Sequence, residues 1–298
     1  DNLENHRYFD LIQKLNIELT YLIHFGFLPS KEDYHGCILF INAVKNHAMN
    51  MGEILKQINN LPSFYRRSMK YISDCRNAKT LIGKWIKNGG LSKENIFMEF
   101  IHNILGMAIN WTNLSYHYIL KHTQGIIPDI PNTKEMRMAY IYECFRFILP
   151  VRFTASNIKK PEEFGLKQGT NNTFVHDFKV YTQNPKYFGS DTENFNLLRM
   201  ENHQKDTVSL KGKCPFSGFF ESPQDAKVHC DQELYEKEGY VPFGVGYRRC
   251  PGEHLTMVFL EELADKMKNM KYTIYLEGES KPDNYIWGEI DRNLIFKS

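Results

Sequence analysis

The sequence contains no run of eighteen apolar residues. Its best stretch, Ile17 to Leu28, is interrupted by Glu18, Thr20 and His24, so any membrane span is expected to lie outside this chain. It also lacks a strong charge of either sign. A net charge of +2 over 298 residues, with no long basic run, gives no argument for nucleic acid, or by itself for a membrane surface. Cysteine is sparse: six residues, at positions 37, 75, 144, 214, 230 and 250, form no C-x-x-C pair and no dense framework. That excludes a disulfide scaffold and points to a reducing compartment, the cytoplasm or the cytoplasmic face of a membrane rather than the outside. The first residue is Asp1 and not methionine, which suggests a processed or truncated N-terminus with no readable targeting segment.

What is present is a globular composition, 42% hydrophobic, 14% aromatic and 24% charged, enough for one large core or two modest ones. Apolar residues recur at helical spacing from residue 2 to 26 (Phe9, Ile12, Leu15, Leu19, Leu22, Ile23), with Gly26 and Pro29 as the stop. Ser30 is placed to cap a second helix that runs towards Pro62, and Ser63 to open a third that closes at Gly89 and Gly90. From Lys93 to His122 the pattern predicts one long helix, with Phe97, Ile101, Ile104, Leu105, Ala108, Thr112, Tyr116 and Ile119 on one face. After Pro128 and Pro131, Asn132 and Glu135 have the spacing of a capping box for a helix through Glu143 and Arg146 to Pro150. Short β-leaning pieces follow around 151–155, 164–166 and 173–182, and a terminal hairpin is expected from 272–275 and 286–296. The chain thus reads as mainly α with small β elements, one domain over 1–298, in which 1–92 is helical scaffold.

The chemistry concentrates at residues 243–255, FGVGYRRCPGEHL. Gly244, Gly246 and Gly252 let the backbone come close to a flat group. Arg248 stands two residues before Cys250, and the helical spacing of Leu255, Val258, Phe259, Leu263 and Met267 puts Cys250 at a helix N-terminus, where amides and the helix dipole favour an anion. The other five cysteines read as small buried apolar residues.

This stretch resembles the haem-binding signature of cytochromes P-450, F-x-x-G-x-R-x-C-x-G, met by Phe243, Gly246, Arg248, Cys250 and Gly252. A chance match in one chain is roughly one in ten thousand or rarer. The resemblance covers about residues 93–298, the C-terminal, helix-rich part of that fold, with a surface insertion between about 200 and 240 around Cys214-Pro215-Phe216-Ser217-Gly218 and the charged run Glu233 to Glu238. It implies haem b held by the Cys250 thiolate, with Arg248 and Arg152 towards the propionates and Phe243 shielding the sulfur side. It also implies that Glu143 and Arg146 form the family's Glu-x-x-Arg pair, joined by Arg199 from a stretch similar to its D-P-x-x-F … F-x-P-E-R-F segment. Leu197 and Leu198 replace the Pro-Glu there. Gly106, Ala108, Ile109, Thr112, Val151 and Phe153 would line the distal pocket, where a small lipophilic substrate fits mostly apolar walls.

Two departures bear on the chemistry. Anchoring the central helix on Gly106 puts Ala108 and Ile109 where the family has an acid–threonine pair that handles protons, with Asn110 next; an alkyl side chain relays no proton. A register shifted to Thr112 restores a hydroxyl but puts Trp111 at the acid position. The helix from Tyr142 to Val151 is also similar to that of hydroperoxide-rearranging relatives, the allene oxide synthase and hydroperoxide lyase group. Family members are, in addition, much longer on the N-terminal side, so a fragment or a reduced relative is implied. The expected activity is monooxygenase-like oxidation with an electron-donating reductase. The alternative within the class is a peroxide-using or hydroperoxide-rearranging enzyme that needs no reductase. Outside the class stand a haem-free interaction module and a zinc-stabilised one using Cys214, His229 or Cys230, Cys250 and His254.

Overall fold

A capping residue stands at most helix starts in the N-terminal part, and the computed structural model shows which of them are used. It describes residues 8–46, 56, 61–149, 153–157, 161–165, 167, 173–199, 242–243, 250, 252–268, 273–276 and 294–297. Helix α1 (Tyr8–Phe25) ends at Gly26, whose φ of 84° suits glycine. Helix α2 (Lys31–Asn46) is capped reciprocally: the Asp33 amide donates to the Ser30 hydroxyl at 3.1 Å, and the Ser30 amide to the Asp33 carboxylate at 3.3 Å. The single helix expected from Ser63 to Gly89 is instead two. Pro62, not Ser63, is the first residue of α3 (Pro62–Asp74), where its missing N–H costs nothing. Thr80 caps α4 (Leu81–Asn88) by accepting from the Gly83 amide.

The contacts divide the chain into two units, 1–116 with 271–298, and 117–270, a division that falls inside the long helix. In the first unit Ile17, Tyr21, Phe25, Phe40, Ile41, Phe64, Ile72, Phe100 and Ile104 form one core, drawn from α1, α2, α3 and α5 (Lys93–Ile104). Two glycines permit its close approaches. A Cβ on Gly36 of α2 would overlap the Phe64 ring of α3, and one on Gly83 of α4 would overlap the Asn77 carbonyl oxygen.

The long helix expected from Lys93 to His122 is continuous in sequence but not uniform. Ser92 caps α5 by accepting from the Asn95 amide at 3.2 Å; then Leu105–Trp111 is a π-helix, and α6 (Thr112–Thr123) follows. Inserted π segments widen the turn by one residue and recur at functional sites. Two side-chain bonds accompany the segment. The hydroxyls of Thr112 and Ser115 donate to the carbonyls of Ala108 and Trp111, four residues back, at 2.8 and 2.7 Å. Both compete with the helix's own ladder. The expected buried stripe is otherwise present, since only Leu105 of its eight residues is not buried.

In the second unit α7 (Lys134–Ile148) carries the buried Ala139, Tyr140, Ile141, Glu143, Cys144, Phe145 and Arg146. The capping box expected from Asn132 is not formed: Thr133 takes the cap position with no side-chain bond, and Asn132 accepts from Lys268 at 2.5 Å. Strand β1 (Phe153–Asn157) pairs antiparallel with β2 (Thr173–Asp177), Phe153 opposite Asp177. The β-leaning residues beyond 177 turn helical, as α8 (Phe178–Thr182) and α9 (Pro185–Phe188). Helix α10 (Glu253–Lys268) is joined to α7 by Arg137, which reaches Glu261 at 2.9 Å and Asp265 at 2.7 Å. In the first unit β3 (Thr273–Leu276) and β4 (Leu294–Lys297) form the expected terminal antiparallel pair. The described fold is thus mainly helical with two small two-stranded sheets.

Candidate functional site

Helix α7 sets Glu143 and Arg146 three residues apart, so their side chains leave the same face. The pair is bidentate: Arg146 Nε donates to Glu143 Oε2 at 2.7 Å and Nη2 to Oε1 at 2.6 Å, with both side chains fully buried. Nη1 of Arg146 donates to the carbonyls of Thr182 (3.1 Å) and Thr192 (2.7 Å), and Nη2 also to that of Asn194 (3.0 Å). All five guanidinium donors are therefore used, the condition under which a buried charge is tolerated. Arg199 arrives from the far end of the same loop, its Nε donating to Glu143 Oε1 at 3.4 Å. Its other donors reach the Phe188 carbonyl, the Asp191 carbonyl at 3.1 Å and the Asp191 carboxylate at 3.0 Å. The Asn196 amide adds a fourth bond to Glu143, at 2.9 Å. One carboxylate thus faces two guanidinium groups, and the loop 182–199 is fastened to them by its backbone.

The loop that carries Cys250 is seated on the same helix. The Phe243 ring lies 4.7 Å from that of Phe145, centroid to centroid, and the Cys250 amide donates to the Phe243 carbonyl at 2.7 Å. Cys250 then leads into α10: the Glu253 amide donates to its carbonyl at 3.3 Å, and the Gly252 carbonyl accepts from the Thr256 amide and hydroxyl, both at 2.8 Å. A Cβ on Gly252 would sit 3.6 Å from the Cys250 sulfur, ordinary contact. Burial pushes the Cys250 thiol up; the Gly252 amide opposes this and the Glu253 charge adds to it. The protein groups described there do not ionise the thiol on their own. A cation bound to the sulfur does, because a coordinating thiol gives up its proton.

The central helix presents two different faces. Ala108 and Ile109 belong to the buried core of the first unit, with Ile17 and Phe40. Thr112 is fully buried, and its hydroxyl is spoken for: it donates to Ala108 and accepts from Asn16 Nδ2 at 3.0 Å. Gly106 and Asn110, four apart, keep partial exposure, and the space beside Gly106 is open, with nothing within 4 Å of where a Cβ would stand. Asn110 is thus the polar side chain on the open side of the π segment. The sequence placed it only as the residue after Ile109 and gave it no role, although its i, i+4 relation to Gly106 was available.

Phe153 lies in β1. Gly244, Gly246, Arg248, Val151 and Arg152 lie outside the described residues, as do the 200–240 insertion and the zinc candidates Cys214, His229 and Cys230. Among the described residues no three His, Cys, Asp or Glu side chains come together as a metal site. Among the described residues the donor at the loop is the Cys250 sulfur, on a turn that carries Gly252. That suits a metal whose other ligands come with a planar cofactor, and the residues present fit a haem.

No family model and no curated protein matches the sequence. Solved structures do match. The cytochrome P450DA haem domain superposes with a TM-score of 0.58 at 14% identity, covering 99% of this chain and 67% of that one. Cytochrome P450-153 from Novosphingobium aromaticivorans gives 0.57 at 13%, covering 93% and 60%. A cyanobacterial CYP120A1 with retinoic acid bound gives 0.63 at 13%, covering 99% and 69%. The chain has a cytochrome P450-like fold and spans between 60% and 69% of the length of these three.

Proposed function

We propose that this chain is the haem-binding part of a haem-thiolate oxidoreductase that oxidises a small lipophilic compound. The observation that carries the reading is the joining, through α7, of a helix-mouth cysteine to a buried carboxylate held by two arginines, on a fold otherwise seen in cytochrome P450 haem domains. Cys250 would supply a thiolate ligand, losing its proton as the metal binds. Phe243 would cover the sulfur side from its seat on Phe145. Gly246 and Gly252 would allow close approach, and Arg248 and Arg152 would pair with the propionates. Glu143, Arg146 and Arg199 are positioning residues: they hold the loop 182–199 and α7 in fixed relation and touch no reactant. The haem would supply iron made electron-rich by the thiolate, the basis of O–O bond cleavage in this class.

Two oxidants are compatible with such a site, and one observation separates them in weight. Ala108 and Ile109 are alkyl and buried, Thr112 is committed to Asn16 and Ala108, and Asn110 offers hydrogen bonds but no titrating proton. In the resemblance it is this helix that carries the proton-handling pair, and a chain without that pair suits a peroxide or hydroperoxide, which needs no reductase. Dioxygen with an electron-donating reductase is the other reading.

The test is the visible spectrum of the reduced protein under carbon monoxide, after expression with adequate haem. A red-shifted Soret band, lost in Cys250→Ala, is the expected result. Absence of bound haem, or an unchanged band in the variant, removes Cys250 as ligand. Turnover with a fatty-acid hydroperoxide but not with a reductase system is expected on the peroxide reading; the reverse selects dioxygen.

A further inference from the structure

We propose that one end of the first unit, formed by the turn between α1 and α2 and the turn between α3 and α4, docks on an anionic lipid surface.

The charge of the chain is unevenly divided. Residues 62–93 hold eight lysines and arginines against one acid, Asp74, while the remainder of the chain has more acidic than basic residues. Of the eight, Arg67 is spent on Asp33, at 2.6 Å. The other seven are exposed, and none makes a close ion pair with a carboxylate among the described residues, although the Glu94 charge stands beside Lys93. Two of them converge on one residue: Arg76 donates to the Ser73 carbonyl at 2.7 Å, and Lys93 to the Ser73 hydroxyl at 3.0 Å. Lys79 stands in the same turn, where its amide is fixed by the Asn77 side chain at 3.0 Å.

An apolar tip lies beside this basic group. The turn at Gly26 packs against Asn77 and Thr80: a Cβ there would come 3.2 Å from Asn77 Nδ2 and 3.0 Å from Thr80 Cγ2. The next residue, Phe27, lies 5.0 Å from the Tyr71 ring of α3, centroid to centroid, and is 40% exposed; Leu28 after it is 58% exposed. Two adjacent apolar side chains at a turn, next to unpaired cations, match a bilayer interface, which accepts apolar tips below its headgroups and cations among them. Five of these seven cations, Lys70, Lys79, Lys84, Lys87 and Lys93, are lysines, point charges on flexible stems that suit a layer of mobile phosphates. A folded acidic protein gains less from them, and an exposed Leu28 gives it no specific anchor. Among the described residues no helix is long and apolar enough to cross a membrane, so the contact would be peripheral.

Co-sedimentation of the full chain with vesicles tests this directly. Binding is expected to vesicles of phosphatidylcholine with 30% phosphatidylserine and not to pure phosphatidylcholine, and to weaken steeply between about 0.05 and 0.5 M salt as screening shortens. The triple variant Arg76→Glu, Lys79→Glu, Lys93→Glu is expected to bind about a hundredfold more weakly, each cation at such a surface being worth about a factor of five. Leu28→Ser is expected to lose a further part of the binding with an unchanged melting temperature. Equal binding to both vesicle types, or none, overturns the proposal. Salt-sensitive binding that is indifferent to Leu28→Ser and equally strong to polyglutamate overturns it in favour of an acidic protein. If the triple variant does not fold, the lipid and salt dependence of the unsubstituted chain, with Leu28→Ser, still decides. None of these readouts depends on haem.

Discussion

Phe243 rests on Phe145, their ring centroids 4.7 Å apart, and Phe145 lies between Glu143 and Arg146 on α7. The helix that buries the ion pair thus also seats the residue whose carbonyl accepts the Cys250 amide. The same helix reaches α10 through Arg137, bound to Glu261 and Asp265. Displacing α7 therefore disturbs both ends of the cysteine segment, and a charge far from the sulfur bears on where the sulfur stands.

Removing the carboxylate should be more damaging than removing either arginine's weaker contact. Glu143→Gln leaves two guanidinium groups facing a neutral amide, and breaking a buried pair costs about 3 to 5 kcal/mol. Arg199→Ala removes a 3.4 Å contact and several bonds to carbonyls, so a loss of about 1.5 to 3 kcal/mol is expected. Urea unfolding of the two variants measures this; equal losses, or none in Glu143→Gln, would contradict the geometry. Haem retention after gel filtration should fall in the same order.

The central helix gives a paired prediction. Thr112→Val keeps the shape but removes the acceptor for Asn16 Nδ2, and Asn16 Oδ1 already has no partner among the described residues. A loss of about 1 to 3 kcal/mol is expected. Asn110→Ala, on the open side, should change stability by no more than about 0.5 kcal/mol while altering turnover or ligand spectra. If Thr112→Val is neutral to folding and lowers turnover, Thr112 belongs to the pocket and not to the scaffold.

His24 makes stability fall in mild acid. Burial lowers its pKa to about 4, with the Thr20 carbonyl, at 2.7 Å from Nδ1, opposing in part. The unfolded value is near 6.5, so below it the unfolded chain binds a proton that the folded chain refuses. The stabilisation is complete above about pH 6.5 and is lost as the pH falls to about 4, a difference of at most about 3 kcal/mol. His24→Phe places another ring beside Trp85 and Phe100 and should flatten the pH profile of the urea midpoint in that window. An unflattened profile would assign the effect to other groups, His117 first, since burial lowers its pKa to about 3.

What could be read in advance was local. Ser30 capping α2, the buried stripe from Phe97 to Ile119, the terminal strand pair and the three residues Glu143, Arg146 and Arg199 rest on spacing or on a short motif. What could not be read depended on partners far along the chain. Asn132 was free on paper to cap α7, but Lys268, 136 residues on, takes its side-chain oxygen. Thr112 has the look of a pocket hydroxyl until Asn16, 96 residues earlier, donates to it. The split of the third helix follows from Cys75–Lys79 turning so that Thr80 can cap anew. The basic end of the first unit was invisible in a net charge of +2, because only folding sets Gly26 against Asn77 and Lys93 against Ser73.

The Glu143–Arg146 pair closes over three residues, whereas its bonds to Thr182, Asn194, Asn196 and Arg199 close over 36 to 56. Closing a short loop costs little entropy and a long one more. Closure entropy alone therefore favours the pair forming before its long-range bonds, with the remaining donors of Arg146 and acceptors of Glu143 left for the later segment. On that order the feature that fastens the loop would also be the template against which the loop is placed.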